Sequence, residues 1–552
     1  MKTSLRAVLT LAGASLLPAQ TSQAPVSFDR IIGAQKEPQN WLTYSGGTMS
    51  QRHSPLTQIT PDNVKNLDLQ WVFQAKSLER YEVTPLVVDG VMYSIQNPDD
   101  VVALDAVTGR VFWMYSYTPS KEARPCCGRL SRGLAILGET LFLGTIDARL
   151  VALDTKNGKP LWNVSVGKPE EGYAITHAPL VVKDKVIVGM AGGEYGIRGY
   201  IAAFEVKTGK EAWRFYTIPG KGEPGNETWK GDSWMHGGAS IWVTGSYDPE
   251  LNLTYWGVGN PGPDWNGDNR LGDNLYSDSV VALDADTGKL KWYYQFSPHD
   301  EFDYDSTQIP VLVDMPWQGK DGQTRPRKVM LWANRNGLFY VIDRSTGEFL
   351  LGKPFAKVTW MNGFDEKGRP MKVASAASSK TGTLIFPGNQ GATNWYNPSY
   401  SPHTGLFYIP TWDDYSSLFV KQDAEYIQGQ TFSGGGPRNT APPIVTAGFN
   451  YRKEGEMYGS VRAIDPKTGE MKWDFKMADV TDAGILTTAS DVLFSGGREG
   501  YFFALDARNG NLLWKSSVGG RVTSGPMTYS VAGKQYVVVC AGNSLFTFAL
   551  RQ

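Results

Sequence analysis

The chain has 552 residues, is 41% hydrophobic and 20% charged, and carries a formal net charge of −1. That balance excludes a disordered polypeptide, and the lack of a basic stripe argues against nucleic acid as a partner. Gly (61), Trp (18) and Tyr (26) are plentiful, which suits short strands joined by tight turns.

The N-terminal residues MKTSLRAVLTLAGASLLPAQTSQA have a basic start at Lys2 and Arg6, an apolar run, and small residues with cleavage expected after Ala19 or Ala24. This pattern predicts a secretory signal peptide over residues 1–24 and a mature chain over 25–552 that is exported and soluble. No later segment is apolar for long enough to span a bilayer. Of the three cysteines, Cys126 and Cys127 are adjacent, and Cys540 lies in an apolar strand. There is no C-x-x-C-H haem motif and no zinc spacing.

From residue 103 onward one unit recurs: ALDAVTGRVFW (103–113), ALDTKNGKPLW (152–162), AFEVKTGKEAW (203–213), ALDADTGKLKW (282–292), AIDPKTGEMKW (463–473) and ALDARNGNLLW (504–514). VIDRSTGEFLL (341–351) ends in Leu351 in place of Trp, and YSPHTGLFYIP (400–410) reads as a degenerate eighth copy. In each full copy the acidic residue precedes the Trp by eight positions. The unit predicts a hairpin: an apolar strand ends at the acid, the turn uses Gly, and a second strand delivers Trp. One hairpin cannot bury both its faces, so the units must pack on one another. The expected fold is an all-β propeller of four-stranded blades without an internal domain boundary. The gaps 213–282 and 351–463 are expected to hold loops decorating one face.

These repeats resemble the tryptophan-docking motifs of the pyrroloquinoline-quinone (PQQ) dehydrogenases, over essentially the whole mature chain. The resemblance implies a single eight-bladed β-propeller over residues 25–552. Propeller scaffold proteins of outer-membrane assembly share such repeats without a cofactor, so the site residues discriminate between the two.

Those residues follow in chain order. Glu82 (YEVTPLVV) and Thr176 (AITHAP) match polar cofactor contacts of the family. RPCCGRLSR supplies Cys126, Cys127 and Arg132. Adjacent Cα atoms lie about 3.8 Å apart, closer than the usual disulfide spacing, so two free thiols are the ordinary reading. An exported chain makes a bridge plausible, and the family implies a vicinal disulfide against the PQQ ring with Arg132 as a cofactor ligand. Gly192 and Gly193 (MAGGEYGIRGY) allow close backbone approach, and Ala191 stands where many relatives have Ser. Trp242 (GGASIWVTG) could be an ordinary core residue; the resemblance makes it the floor under the planar quinone. Arg335 (WANRNG) matches a cofactor arginine suited to a tricarboxylate, and Asn394 (GATNWYNPSY) matches a further contact.

The metal set implied by the family comes from three segments: Glu194, Asn260 and Asp303. All are hard oxygen donors. SPHDEFDYDST (297–307) adds Asp305, two residues after Asp303. In an extended segment both side chains face one side and repel unless a cation separates them. The position of Asp305 resembles the lanthanide-dependent subgroup, with Ca²⁺ as the alternative. Asp300 and Glu301 read as turn residues, and an EF-hand loop is disfavoured because no Gly follows Asp305. The resemblance therefore implies a periplasmic alcohol dehydrogenase that oxidises a small primary alcohol to an aldehyde. Asp303 would act as general base and Arg335 would stabilise charge on the quinone oxygen. Electrons would pass to a soluble cytochrome c. The oligomeric state, homodimer included, is left open. The loop NPGPDWNGDNRLGDN (260–274) is one residue longer than the methanol-enzyme pattern and could reshape the substrate pocket.

Overall fold

The structure is a computed structural model that describes residues 24–439 and 457–551. Nearly all of the expected signal segment lies outside the described residues. Strands dominate; the α-helix Phe28–Ile32 has five residues, and the other helical pieces are short 3₁₀ turns. Among the described residues there are eight sheets of four or five strands and two smaller sheets. No helix among them is long and apolar enough to cross a membrane.

Each large sheet is essentially an antiparallel meander. In the first, Leu86–Val88, Val91–Gln96, Asp100–Asp105 and Val111–Tyr115 pair in sequence order. The three inner strands are almost wholly buried, because neighbouring sheets cover both faces, and so they read as continuous apolar runs. The outermost strand is largely exposed or half-buried.

The repeated turn joins the third and fourth strands, and its chemistry is visible. Asp105 Oδ1 accepts hydrogen bonds from the backbone N–H groups of Val107 (2.8 Å) and Thr108 (3.2 Å), closing an Asx turn. Gly109 then takes φ +72°, a conformation that other residues resist. In five of the six full units the Trp lies on the Gly of the next; Trp514, in the last, packs against Phe548 instead. A methyl at Gly158 would fall 2.5 Å from the Trp113 ring, and one at Gly288 would fall 2.4 Å from Trp213. The indole N–H donates to the carbonyl one residue past the next acid: Trp113 to Thr155 (2.9 Å), Trp162 to Val206 (3.0 Å), Trp213 to Ala285 (3.2 Å), Trp292 to Arg344 (3.1 Å) and Trp473 to Ala507 (3.1 Å).

Three features depart from the sequence reading. First, the turn within 400–410 joins the strands Ser399–Ser401 and Leu406–Asp413, the first two of their sheet. It is therefore not a docking copy, and space is open around Gly405. Second, Trp71 serves as a docking Trp outside the repeat pattern. Its strand Leu67–Gln74 pairs with Ser544–Leu550 in the last sheet, while its ring lies 2.6 Å from the Cβ position of Gly109 in the first. The N-terminal strand thus ties the last sheet to the first. Third, the two long gaps carry sheet strands as well as loops: Ser246–Asp248 and Leu253–Gly257 in one, Ser399–Ser401 and Leu406–Asp413 in the other.

Candidate active site

In an antiparallel meander the start of the first strand and the end of the second lie at the same edge. Segments at those two points therefore gather at one end of the sheets, opposite the docking turns. Glu82, Thr176 and Trp242 each stand four residues before first strands that begin at Leu86, Leu180 and Ser246. Glu194, Asn260 and Arg335 follow second strands that end at Gly189, Gly257 and Ala333. Backbone bonds stitch neighbours together: Thr84 N–H to Arg132 O (3.0 Å) and Arg132 N–H to Thr176 O (3.1 Å).

A cavity of about 230 Å³ opens there, lined by Arg80, Glu82, Cys126, Cys127, Arg132, Thr176, Gly192, Glu194, Trp242, Asp303, Asp305, Arg335 and Asn394, with Ala191, Ser240, Gln390 and Trp395 among the others. Cys126 and Cys127 form a disulfide, and Cys540 is a buried free thiol whose pKa burial pushes up to about 12. The bridged sulfurs approach Glu194, but as a disulfide they are not thiolate ligands.

Two arginines organise the walls. Arg132 pairs with buried Glu82 at 2.9 Å and donates to the Trp242 carbonyl at 3.2 Å. Its guanidinium sits 5.1 Å from both the Trp242 and Trp395 rings, a cation–π sandwich that fixes the indole edge. Arg335 forks between the two acids of DYD, reaching Asp305 Oδ2 at 2.6 Å and Asp303 Oδ2 at 2.9 Å. Its Nε donates to the Asn389 carbonyl at 2.9 Å. The other oxygen of Asp305 accepts the Asn260 N–H at 3.0 Å.

The acids are crowded. Burial pushes the Glu194 carboxyl up to about 7, with the Asp305 charge adding to the shift and Arg335 opposing it. Burial also holds Asp303 well above the usual carboxylate range; Arg335 pulls it down, while Asp305, Asp264 and Glu194 raise it. A cavity this rich in buried carboxylate oxygens fits a hard cation. Arg80, Arg132 and Arg335, facing a disulfide and an indole, fit a flat polyanionic ring.

Next to Thr176, His177 ties the cavity wall to the sheet behind it. Its Nε2 accepts the Gly189 N–H at 2.9 Å, so Nδ1 must carry the proton and donate to the Ala178 carbonyl at 2.8 Å. The ring is held neutral, its pKa lowered by burial to about 4.

Most expected residues meet here, but several differ in detail. Asp303 and Asp305 do not lie in an extended segment: Asp303 has φ +58°, and no strand covers 300–306. Arg335, not the period of a strand, brings their carboxylates together. Asn260 stands behind Asp305 and off the cavity wall, its amide donating to Asp264 Oδ1 at 3.0 Å. Gly193 also lies off the wall, with its Cβ position 3.1 Å from Ser240 Oγ. Gly192, at φ +121°, passes 2.1 Å from the Gly172 carbonyl at its Cβ position, so no side chain fits. Asn394 lines the cavity, but its amide is bonded within its own loop, to the Gln390 carbonyl and the Trp395 N–H. Asp300 and Glu301 are buried rather than solvated: Asp300 Oδ2 accepts from Phe302 and Tyr304 N–H, and Glu301 pairs with Lys372 at 2.8 Å. The sequence reading missed Arg80, Trp395 and Asp264. Trp395 carried a signal, because it too stands four residues before a first strand, Ser399–Ser401.

A propeller-domain chain with a cofactor cavity of this make-up belongs to a class of redox enzymes, and comparison identifies which. Residues 41–359 and 366–537 match the family described as PQQ: glucose/ethanol/alcohol dehydrogenase, β-propeller domain. The chain is 36% identical to quinoprotein alcohol dehydrogenase PedH of Pseudomonas putida, covering 97% of this chain and 91% of that protein. Its fold matches quinohemoprotein alcohol dehydrogenase ADHIIG of Pseudomonas putida HK5 with TM-score 0.87 and 36% identity, over 96% of this chain and 82% of that one. It matches a europium-containing methanol dehydrogenase with TM-score 0.86 and 30% identity, over 95% and 100%. The chain belongs to the PQQ-dependent alcohol dehydrogenases.

Proposed function

We propose that the chain is a periplasmic enzyme that oxidises a small primary alcohol to its aldehyde, with a lanthanide ion beside PQQ. In this reading the signal peptide covers 1–24, and residues 25–552 form one eight-bladed propeller whose blades are the eight large sheets. The observation that carries it is Arg335 forked between Asp303 and Asp305 in a cavity that also holds the Cys126–Cys127 bridge and Trp242.

When bound, the quinone supplies the hydride acceptor and the cation supplies Lewis acidity. The protein's own groups do the rest. Trp242 and the disulfide, both on the cavity wall, would limit tilt of the ring. Arg132, braced by Glu82, and Thr176 would hold its carboxylates, Gly192 would allow close approach, and Asn394 would add a polar contact. Asp303 takes the proton of the alcohol hydroxyl at a carboxylate oxygen; burial raises its proton affinity, which suits a base. Arg335 keeps Asp303 oriented and would supply positive charge to the quinone oxygen as it gains electron density. Glu194, Asn260, Asp303 and Asp305 would hold the ion. Asp305 adds a carboxylate, and a trivalent ion gains more from each added carboxylate than a divalent one. Ca²⁺ in the same site is the second reading, favoured by the oxygen-only donor set. The electron acceptor is a separate cytochrome c.

Two results test this reading. Acid-denatured holoprotein should release a chromophore with the absorbance of PQQ. Dye-linked oxidation of a panel of primary alcohols should require PQQ and run faster with La³⁺ than with Ca²⁺. Holoprotein made with PQQ available that releases only flavin, nicotinamide or nothing would end it.

A further inference from the structure

One buried acid beside the cavity has no part in the assignments above. Asp264 is 4% exposed and sits in the loop after the strand Leu253–Gly257. Among the described residues it forms no ion pair with Lys or Arg. Its Oδ1 accepts a hydrogen bond from Asn260 Nδ2 at 3.0 Å. The Asn260 amide thus turns its NH₂ toward Asp264 and its carbonyl oxygen away. What lies on that other side is the turn that bears Glu194: a methyl at Gly193 would stand 3.8 Å from Asn260 Oδ1.

The loop is anchored independently of this bond. Arg270 donates to the Pro263 carbonyl at 3.1 Å and to Asn274 Oδ1 at 2.9 Å, and Trp265 N–H bonds the Ser433 carbonyl at 2.9 Å. Asp264 therefore sets the Asn260 rotamer, and not the reverse. Burial, with the nearby Glu194 and Asp305 carboxylates, holds Asp264 well above the usual carboxylate range.

We propose that Asp264 is a positioning residue for the cation: it aims the Asn260 carbonyl oxygen at the metal. This rests on the metal reading above and deepens it. Groups that orient a metal ligand typically change affinity by about 10- to 100-fold when removed.

The test is calorimetric titration of the full-length, PQQ-loaded, chelator-stripped chain with La³⁺ and, separately, with Ca²⁺. Asp264→Ala loses the orienting acceptor, so affinity should fall about 10- to 100-fold for both ions. Asp264→Asn keeps a carbonyl acceptor for Asn260 and should bind both ions within a few-fold of wild type. Melting curves of the two variants separate misfolding from the effect. Wild-type affinity for both ions in Asp264→Ala overturns the proposal, as does an Asp264→Asn that binds as weakly as Asp264→Ala. Wild type that binds neither ion overturns the metal reading itself, and the proposal with it.

Discussion

The two ends of the sheets are built on opposite principles. At one end the docking turns repeat a single solution: an acid closes the turn, Gly takes positive φ, and a Trp packs on it with its N–H paired to the neighbouring carbonyl. The indole N–H groups of Trp113, Trp162, Trp213, Trp292 and Trp473 are all satisfied by protein there; that of Trp71 is not. At the other end each sheet contributes a different residue, and buried carboxylates outnumber the arginine that joins them. The first end holds the sheets together; the second is left in need of a cation. Substitutions should therefore separate, with stability lost at one end and activity at the other.

The sharpest separation is expected from Asp303→Ala. Losing a general base typically costs about 10²- to 10⁴-fold in rate. Turnover should collapse with any metal while the melting temperature holds or rises, because a buried carboxylate held above its ordinary pKa has been removed. Steady-state kinetics beside a thermal melt checks both halves.

Trp292→Ala is the mirror case. Removing a docked indole and leaving the Arg344 carbonyl without its donor should cost about 3 kcal/mol, read by denaturant unfolding. Activity per folded molecule should be retained. A variant that unfolds normally but loses activity would break the division between the two ends.

His177 offers a pH test of comparable size at the cavity end. Its folded pKa of about 4 lies below the ordinary 6.5, so its contribution is fully present above pH 6.5 and is lost as pH falls toward 4. The loss over that window is roughly 3 kcal/mol, and His177→Gln should flatten it. The smallest effect is expected at Leu351, which stands where the other units have Trp and meets Gly469 beside Lys353. Leu351→Ala should cost about 1 kcal/mol, well below Trp292→Ala.

How much was legible in the sequence follows the same division. The docking end was readable because its physics is local: eleven residues from Ala103 to Trp113 specify turn, φ and packing, and the spacing recurs. Trp71 escaped because it belongs to a unit split between the two ends of the chain, and 400–410 misled because a Gly turn alone does not reveal which strands it joins. The cavity was legible only through resemblance, since its residues come from eight or more separate segments with no shared pattern but their place before first strands or after second ones. The left-handed Asp303 and the Arg335 fork could not be read from DYD, because the arginine is thirty residues away in sequence. Asp264 looked like one of many loop acids until its bond to Asn260 was in view.

The measurement that bears most directly on the central claim is alcohol oxidation by wild type and Asp305→Ala, each loaded with PQQ and then with La³⁺ or Ca²⁺. Wild type should turn over faster with La³⁺. Asp305→Ala should lose that La³⁺-supported activity while still retaining PQQ through Trp242 and Arg132. Equal wild-type rates with Ca²⁺ alone, or full La³⁺ activity in Asp305→Ala, would contradict the assignment of Asp305 as the carboxylate that selects the trivalent ion.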